Sequence, residues 1–297
     1  MKHKIIHSLI LLACPVLLLS SCGDDFVERD PIYAIDSETF FNSEQDYYDA
    51  LVGAYDLLQA SYVNVLLGEI ASDNTLAGGE SPTDVIGFQQ IDDMIHTPVN
   101  DNLKNVWDWM FAGVSRATYI IEFKDKIDFE GKNQILAEAY FLRAYYNFEL
   151  VKWFGPIPLK PNSRFEVGDE TTIPRSPVPE VYSLIESDLQ FAVNNLAETA
   201  PQVGRVSKGA AQSLLGKAYL YQEKFDQAAS IFDQVINSGD YQLVMDGYEG
   251  IFLNSGENGS GSVFEVQYTD TEGAGFGCLQ CSEGNVAVGF NGVRNYV

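Results

Sequence analysis

The chain has 297 residues, of which 18 are Lys or Arg and 42 are Asp or Glu, so its formal net charge is −24. Nucleic-acid binding depends on cationic side chains that displace counterions from phosphates, so a chain this acidic is not expected to bind DNA or RNA. Hydrophobic residues make up 46% of the chain and charged residues 20%, which is typical of globular proteins and excludes wholesale disorder.

The first residues are typical of a lipoprotein signal peptide, which we assign to residues 1–21. Two lysines give a positive start, and an apolar run follows that is too short to span a bilayer as a helix. The run ends in a lipobox, an aliphatic residue and two small residues before a cysteine: Leu19-Ser20-Ser21-Cys22. We therefore expect lipid attachment at Cys22, which would anchor the protein to a membrane. The alternative is an ordinary signal peptide followed by an incidental cysteine.

Apolar residues recur at three- and four-residue steps along much of the chain, which is the spacing of buried helix faces. The first predicted helix begins at a capping box, Ser43-Glu44-Gln45-Asp46, and its apolar face extends to Tyr62. Further helices are predicted over about Asn102–Phe123, Lys132–Trp153 and Glu180–Leu196, and a helix pair is predicted over Ser207–Asn237.

Three stretches lack this helical period. Residues 71–101 are predicted to form a long loop, and loops of this length inside compact domains are often functional. Residues 154–179 hold six of the 11 prolines and are predicted to be an irregular insertion. Beyond Gly239 the sequence is rich in glycine, and Val263–Tyr268 alternates as a short strand would.

The helical part contains an internal repeat with the spacing of a tetratricopeptide unit. Its small residues, Gly216 and Ala228, would let two helices approach closely, and residues 135–153 and 180–196 resemble the helices of a second unit. A repeat buries its apolar face only against its neighbours. We therefore predict a mostly α fold, a tetratricopeptide-like scaffold with long irregular loops and a short β element near the C-terminus.

Residues suited to catalysis or metal binding are scarce. After signal cleavage the only histidine is His96, and the remaining cysteines form the pair Cys278-x-x-Cys281. A structural zinc site needs four ligands, so no metal is predicted, and a local disulfide or two free thiols is favoured over redox chemistry. The sequence contains no G-x-S-x-G, H-E-x-x-H, P-loop or G-x-G-x-x-G motif. We therefore predict no cofactor and no catalytic residues.

The run from Ala137 to Leu150, continuing into Trp153–Leu159, resembles the signature segment of the SusD/RagB family. These proteins are surface glycan-binding lipoproteins of Bacteroidetes outer membranes. Four other stretches resemble family segments in the same order, namely Ser72–Asn74, Trp107–Ile121, Val206–Tyr241 and Ser262–Tyr268.

The resemblance implies a division of the chain into a signal peptide at 1–21, a SusD-like helical domain at 22–245, and the start of a C-terminal region at 246–297. Family members are usually much longer. We therefore expect that the chain stops within that C-terminal half, either as a fragment or as a truncated gene product.

The resemblance also implies capture of a ligand rather than catalysis. A SusD-like lipoprotein sits at the cell outer membrane, facing outward, as a lid on a SusC-like TonB-dependent barrel. It captures an oligosaccharide or other nutrient and delivers it to the barrel. Aromatic rings stack on the sugar faces, while amide, carboxylate and arginine side chains bond the hydroxyls.

Candidate ligand residues lie in the predicted loop at 71–101, because their side chains have suitable chemistry. They are Asp73, Asn74, Phe88, Gln89, His96 and Asn100. For each one, the alternative is a solvated loop residue or a packing residue. Two other functions stay open for the whole chain: a protein-interaction scaffold without its own ligand, since tetratricopeptide surfaces often bind proteins, and a surface glycosidase, which no motif supports.

Overall fold

A computed structural model describes residues 40–78, 81, 83–245 and 247–268. The predicted signal peptide, the predicted lipid-attachment residue Cys22 and the pair Cys278 and Cys281 lie outside these residues. The described chain is mostly helical, as predicted. Its α-helices are α1 (Glu44–Asp56), α2 (Tyr62–Ile70), α3 (Ile86–Asp92), α4 (Asp101–Glu122), α5 (Lys132–Phe154), α6 (Asp169–Thr172), α7 (Val178–Asn195), α8 (Lys208–Tyr221) and α9 (Phe225–Asn237). Short 3-10 helices lie at Leu57–Ser61, Tyr248–Phe252 and Asn254–Gly256, and two strands, β1 (Ile157–Pro158) and β2 (Arg175–Ser176), form an antiparallel pair.

The long helices pack in sequence as a stack. Helix α4 packs on α5, α5 on α7, α7 on α8 and α8 on α9, while α1 lies against both α4 and α5. Helices α8 and α9 are the predicted tetratricopeptide pair. A Cβ atom added at Gly216 would lie 2.5 Å from the ring of Phe232, and Ala228 is buried, so both small residues stand at a close contact between helices. The predicted repeat scaffold is confirmed.

Helix α5 lies at the centre of the stack and is buried on all sides. Four of its buried side chains are polar or charged: Glu138, Arg143, Asn147 and Glu149. Buried charges need partners because the low-dielectric interior replaces the water that would solvate them. Arg143 donates from Nε and Nη2 to the two carboxylate oxygens of Asp188 on α7, each at 2.7 Å, and from Nη1 to the carbonyl of Pro161 at 2.6 Å. Burial raises the pKa of Asp188, and the hydrogen bonds from Arg143 oppose that rise.

The carboxylate of Glu138 is fully buried and gathers donors from three parts of the chain. The guanidinium of Arg205, in the loop between α7 and α8, forms a two-pronged pair with it. The hydroxyl of Tyr55 on α1 donates to Glu138 at 2.7 Å and accepts from the backbone N–H of Val206 at 3.0 Å. The amide of Gln134, one turn earlier on α5, also donates to Glu138, at 2.8 Å. This network ties α1 and the loop before α8 to the central helix.

The first predicted helix is interrupted where side chains of neighbouring helices donate hydrogen bonds to its backbone carbonyls. The capping box is present, with Ser43 and Asp46 bonding each other's backbone N–H groups. Arg116 donates to the carbonyl of Gly53 at 2.6 Å and Tyr146 donates to that of Ala54 at 2.7 Å. These are last-turn carbonyls, and the hydrogen bonds that they accept coincide with the change from α1 to the 3-10 helix that precedes α2.

By length and composition alone Glu44–Ile70 could cross a membrane. In this structure it comprises α1, this 3-10 helix and α2, and it buries Leu51 and Leu67 inside the protein.

Two further predictions differ from the structure. The loop predicted at 71–101 contains the short helix α3. The strand predicted at Val263–Tyr268 has no ladder partner within the described residues; the described strands lie instead in the insertion predicted at 154–179. The segment at 263–268 has helices as neighbours: the ring of Phe264 lies 6.1 Å from that of Phe141 on α5, and the hydroxyl of Tyr268 donates to the carbonyl of Gln59 at 2.9 Å.

A close contact between α4 and α5 predicts the effect of one methyl group. A Cβ atom at Gly113 on α4 would lie 2.5 Å from the ring of Tyr146, which is fully buried and held by its hydrogen bond to Ala54. We expect Gly113→Ala to lower the free energy of unfolding by about 1–3 kcal/mol, since the ring has no room to move. Gly53→Ala on α1 is the matched control, because no atom lies within 4 Å of the added Cβ. It should be neutral or stabilising by up to about 1 kcal/mol. Equal urea midpoints for the two variants would contradict the packing.

The buried ion pair predicts a non-additive mutant cycle. Arg143→Met would leave the carboxylate of Asp188 buried without its partner, at a cost of about 3–5 kcal/mol. The double variant Arg143→Met/Asp188→Leu should lose clearly less than the sum of the two single losses, because neither charge then remains buried alone. Asp108→Ala, which breaks the exposed pair with Lys104, should cost no more than about 0.5 kcal/mol. Denaturant unfolding of the wild type, the two single variants, the double variant and Asp108→Ala measures these losses, and additive losses in the cycle would show that the pair is not coupled.

Candidate functional site

The segment at 71–101, which holds the six candidate ligand residues, is fastened at several points. The backbone N–H of Ala77 donates to the carboxylate of Asp92 at 2.7 Å, closing the segment on itself across α3. Helix α3 also packs against α2 and α4. The segment is therefore a folded element rather than an open loop, although much of its surface is exposed.

Asn100 organises this segment from within. It is 4% exposed and caps α4, its Oδ1 accepting from the backbone N–H groups of Asn102 and Leu103 at 3.1 and 3.2 Å. Its Nδ2 donates to the carbonyl of Gly87 at 2.9 Å and to Oε1 of Gln90 at 3.2 Å. Two acceptor and two donor positions are thus used inside the protein. The geometry makes Asn100 a positioning residue that ties α3 to the start of α4, and it leaves no free amide position for a ligand.

Phe88 and Gln89 lie on α3 beside the residues that Asn100 holds. Both are partly buried, and the amide of Gln89 donates to the carbonyls of Ser81 and Asp84 at 3.3 and 2.7 Å. Gln89 therefore also shapes the segment, because it closes the turn before α3. Phe88 is the aromatic candidate whose ring is partly accessible.

Asp73, Asn74 and His96 have exposed side chains. Asp73 and Asn74 lie in the turn after α2, where the backbone N–H of Asn74 donates to the hydroxyl of Ser72 at 3.2 Å. His96 follows α3. Within the described residues no hydrogen bond joins these three side chains to Phe88, Gln89 or Asn100. The structure thus links only part of the predicted set.

Backbone strain marks both ends of α3. Val85 has φ +47° and Met94 has φ +54°, a left-handed conformation that L-residues other than glycine rarely adopt. The conformation is most unfavourable for a β-branched residue such as Val85, and each instance costs on the order of 1–3 kcal/mol. The hydrogen bonds of Asp92 and Asn100 lie beside these positions and connect α3 to its surroundings.

Two features of the surface were not singled out from the sequence as sites. One is an open groove of about 320 Å³, walled by α5, α8 and the segment at 263–266 and lined mainly by apolar groups. Its lining comprises Leu58, Phe141, Tyr145, Ala210, Ser213, Leu214, Lys217, Val263, Phe264 and Val266. Burial, and secondarily the charge of Glu149, raise the pKa of Tyr145 well above its ordinary value, and the hydroxyl oxygen of Tyr145 lies 2.6 Å from that of Ser61. These residues come from four separate parts of the sequence, so no local pattern announces the groove.

The second feature is a cluster of four partly exposed aromatic rings, one of which belongs to Trp107. The ring of Trp107 lies 4.6 Å from that of Phe111 and 5.1 Å from that of Phe154, and Phe111 lies 5.6 Å from Phe165. The helical period predicts Trp107 as a core residue, and the structure leaves it only partly buried. Partly exposed rings are suited to contact with apolar ligand faces as well as to packing.

Comparison with known proteins agrees with the resemblance seen in the sequence. The SusD-like family model, described as "Starch-binding associating with outer membrane", matches residues 25–220. Two curated relatives are SusD-like protein P38 of Formosa agariphila, 26% identical over 90% of this chain, and a SusD-like protein of Bacteroides ovatus, 24% identical over 90%. The alignments cover 54% and 50% of those proteins, so the chain spans about half the length of the curated relatives it matches.

Solved structures share this fold. A protein titled "Laminarin binding SusD-like protein" superposes with a TM-score of 0.71 and 30% identity, over 80% of this chain and 54% of its own. Surface glycan-binding protein A from Bacteroides fluxus superposes with a TM-score of 0.70 and 25% identity, over 83% of this chain and 55% of its own. The matched family model covers well over half of the 297 residues. The chain therefore belongs to the SusD-like family.

Proposed function

We propose that the protein is an outer-membrane lipoprotein that captures an oligosaccharide and delivers it to a SusC-like TonB-dependent barrel. The observation that carries the proposal is the likeness, at 30% identity and a TM-score of 0.71, to a protein named for laminarin binding. Laminarin is therefore the first glycan to test. Binding without turnover is part of the proposal, because the family and its relatives are named for binding.

The charge of the chain favours a neutral glycan. Its formal net charge is −24. Loss of residues 1–21 would remove two lysines and no acidic residue, so the net charge would become more negative. A sulfated or carboxylated polymer would meet electrostatic repulsion over much of this surface. A neutral sugar avoids that cost and can stack its apolar face on an aromatic ring. Such binding should depend only weakly on salt, because no counterions are displaced.

The segment at 71–101 is the proposed contact surface within this chain. Asn100 and Asp92 would hold α3 in place, and Phe88 would supply a ring for stacking. Asp73, Asn74 and His96 would be available for sugar hydroxyls through their exposed side chains, and Gln89 would contribute mainly by shaping the turn.

The domain division proposed is a signal peptide at 1–21, the helical domain at 22–245 and the start of a C-terminal region at 246–297.

Titration with laminarin tests the capture proposal. Wild-type protein should bind in calorimetry with an affinity that changes little between low and high salt, and should release no new reducing ends. Phe88→Ala should weaken binding by about fivefold, the loss of roughly 1 kcal/mol of ring contact. Phe225→Ala, which removes an exposed ring on α9, is the matched control and should leave binding unchanged. Equal losses from both variants would contradict a site at α3, and new reducing ends would contradict binding without turnover.

Membrane anchoring is tested at the lipobox. Cys22→Ser removes the thiol that would carry the lipid, so the variant should leave the outer-membrane fraction and lack the mass of the acyl chains. Cys14→Ser is the matched control: it changes a cysteine inside the signal peptide, and the mature protein should still be lipidated. If the Cys22→Ser protein stayed in the membrane fraction, attachment through Cys22 would be disproved.

A further inference from the structure

Asn147 on α5 is a buried amide without a hydrogen-bond partner. It is 1% exposed, and neither Oδ1 nor Nδ2 bonds any group within the described residues. Buried side-chain amides are nearly always hydrogen-bonded, so such a group calls for a specific explanation. Asn147 belongs to the resemblance segment at 137–150, and no role has been given to it above.

Asn147 lines a small cavity where the insertion meets the helical stack. The cavity measures about 10 Å³ and lies among residues of α4, α5, α7 and the start of the insertion. A space of this size is at the lower limit for one water molecule and too small for anything larger. The walls are mixed: Thr118 and Lys160 bring polar groups, whereas Val114, Leu184 and Phe165 are apolar.

The charged groups at this cavity already have partners. The nitrogens of Arg143 are used by Asp188 and by the carbonyl of Pro161, and Lys160 donates to the carboxylate of Asp169 at 2.8 Å. A charged ligand in the cavity would therefore have no oppositely charged partner. The ligand that fits must be neutral, as small as water, and able both to donate to Oδ1 and to accept from Nδ2.

We propose that this cavity binds one buried water molecule, held by the side-chain amide of Asn147. The water supplies the hydrogen bond that the amide lacks and connects α5 to residues 158–161 of the insertion. The water thereby attaches the insertion to the helical stack through uncharged hydrogen bonds. This attachment lies between two ion pairs, Arg143 with Asp188 and Lys160 with Asp169. This inference is independent of the ligand proposed for the protein.

A crystal structure of the wild-type protein at a resolution that shows ordered water tests the site directly. The expected result is one density peak in the cavity within 3.2 Å of Oδ1 or Nδ2 of Asn147, about the upper limit for a hydrogen bond. An empty cavity would overturn the proposal. A rotated Asn147 bonded to a protein group would overturn it as well.

Solution measurements give a second test with a matched control. Asn147→Leu removes the amide, and magnetic relaxation dispersion of the solvent should then count one long-lived water fewer than in the wild type. Exchange of the backbone N–H groups of Leu159 and Lys160 should rise about tenfold, the factor that corresponds to one net hydrogen bond. Asn194→Leu changes an exposed asparagine on α7 and should alter neither quantity. An unchanged water count in folded Asn147→Leu protein would contradict the proposal.

Discussion

A helix that is buried on all sides yet carries charged residues sets the constraint on which the rest of this fold depends. Helix α5 cannot keep Glu138 and Arg143 in the interior unless each charge is met by an opposite one. Asp188 meets Arg143 from α7, and Arg205 meets Glu138 from the loop before α8. Helix α7 and the loop before α8 are thus held against α5 by charge pairing with defined geometry as well as by apolar packing, which is less specific about register and rotation.

The same arrangement determines where the exposed candidate surface can form. Tyr146 of α5 reaches the last-turn carbonyl of Ala54, and Arg116 of α4 reaches that of Gly53, where α1 gives way to the 3-10 helix before α2. The segment at 71–101 begins just after α2 and ends at the cap of α4. Both of its ends are therefore attached to the rigid stack, and Asn100 joins its middle to the same support. A surface built in this way can keep a strained helix such as α3 in one position.

The sequence predicted the long helices well because their apolar stripes and caps are local signals. The capping box at Ser43 and the close packing at Gly216 and Ala228 were both readable from spacing alone. The break after α1, by contrast, coincides with hydrogen bonds from side chains 60 or more residues away, and α3 is too short and polar to show a period. Of the candidate site residues, Asn100 shows the limit most clearly: an asparagine before a helix predicts a cap, but its two bonds to α3 depend on tertiary structure. The groove beside Tyr145 was missed for the same reason.

The family resemblance is strongest where the chain is most constrained by architecture, and this affects what it can indicate about ligands. The segment at 137–150 that carries it lies within α5, and in this chain its side chains pair buried charges and contact the neighbouring helices. These residues are evidence for the helical stack, and they give little information about the identity of a ligand. The side chains proposed for contact lie at 71–101, where three of the six are exposed and free to differ without cost to the core. The proposed ligand therefore has to be identified from the chemistry of that segment together with the net charge of the whole chain, −24, which favours a neutral sugar over an anionic one.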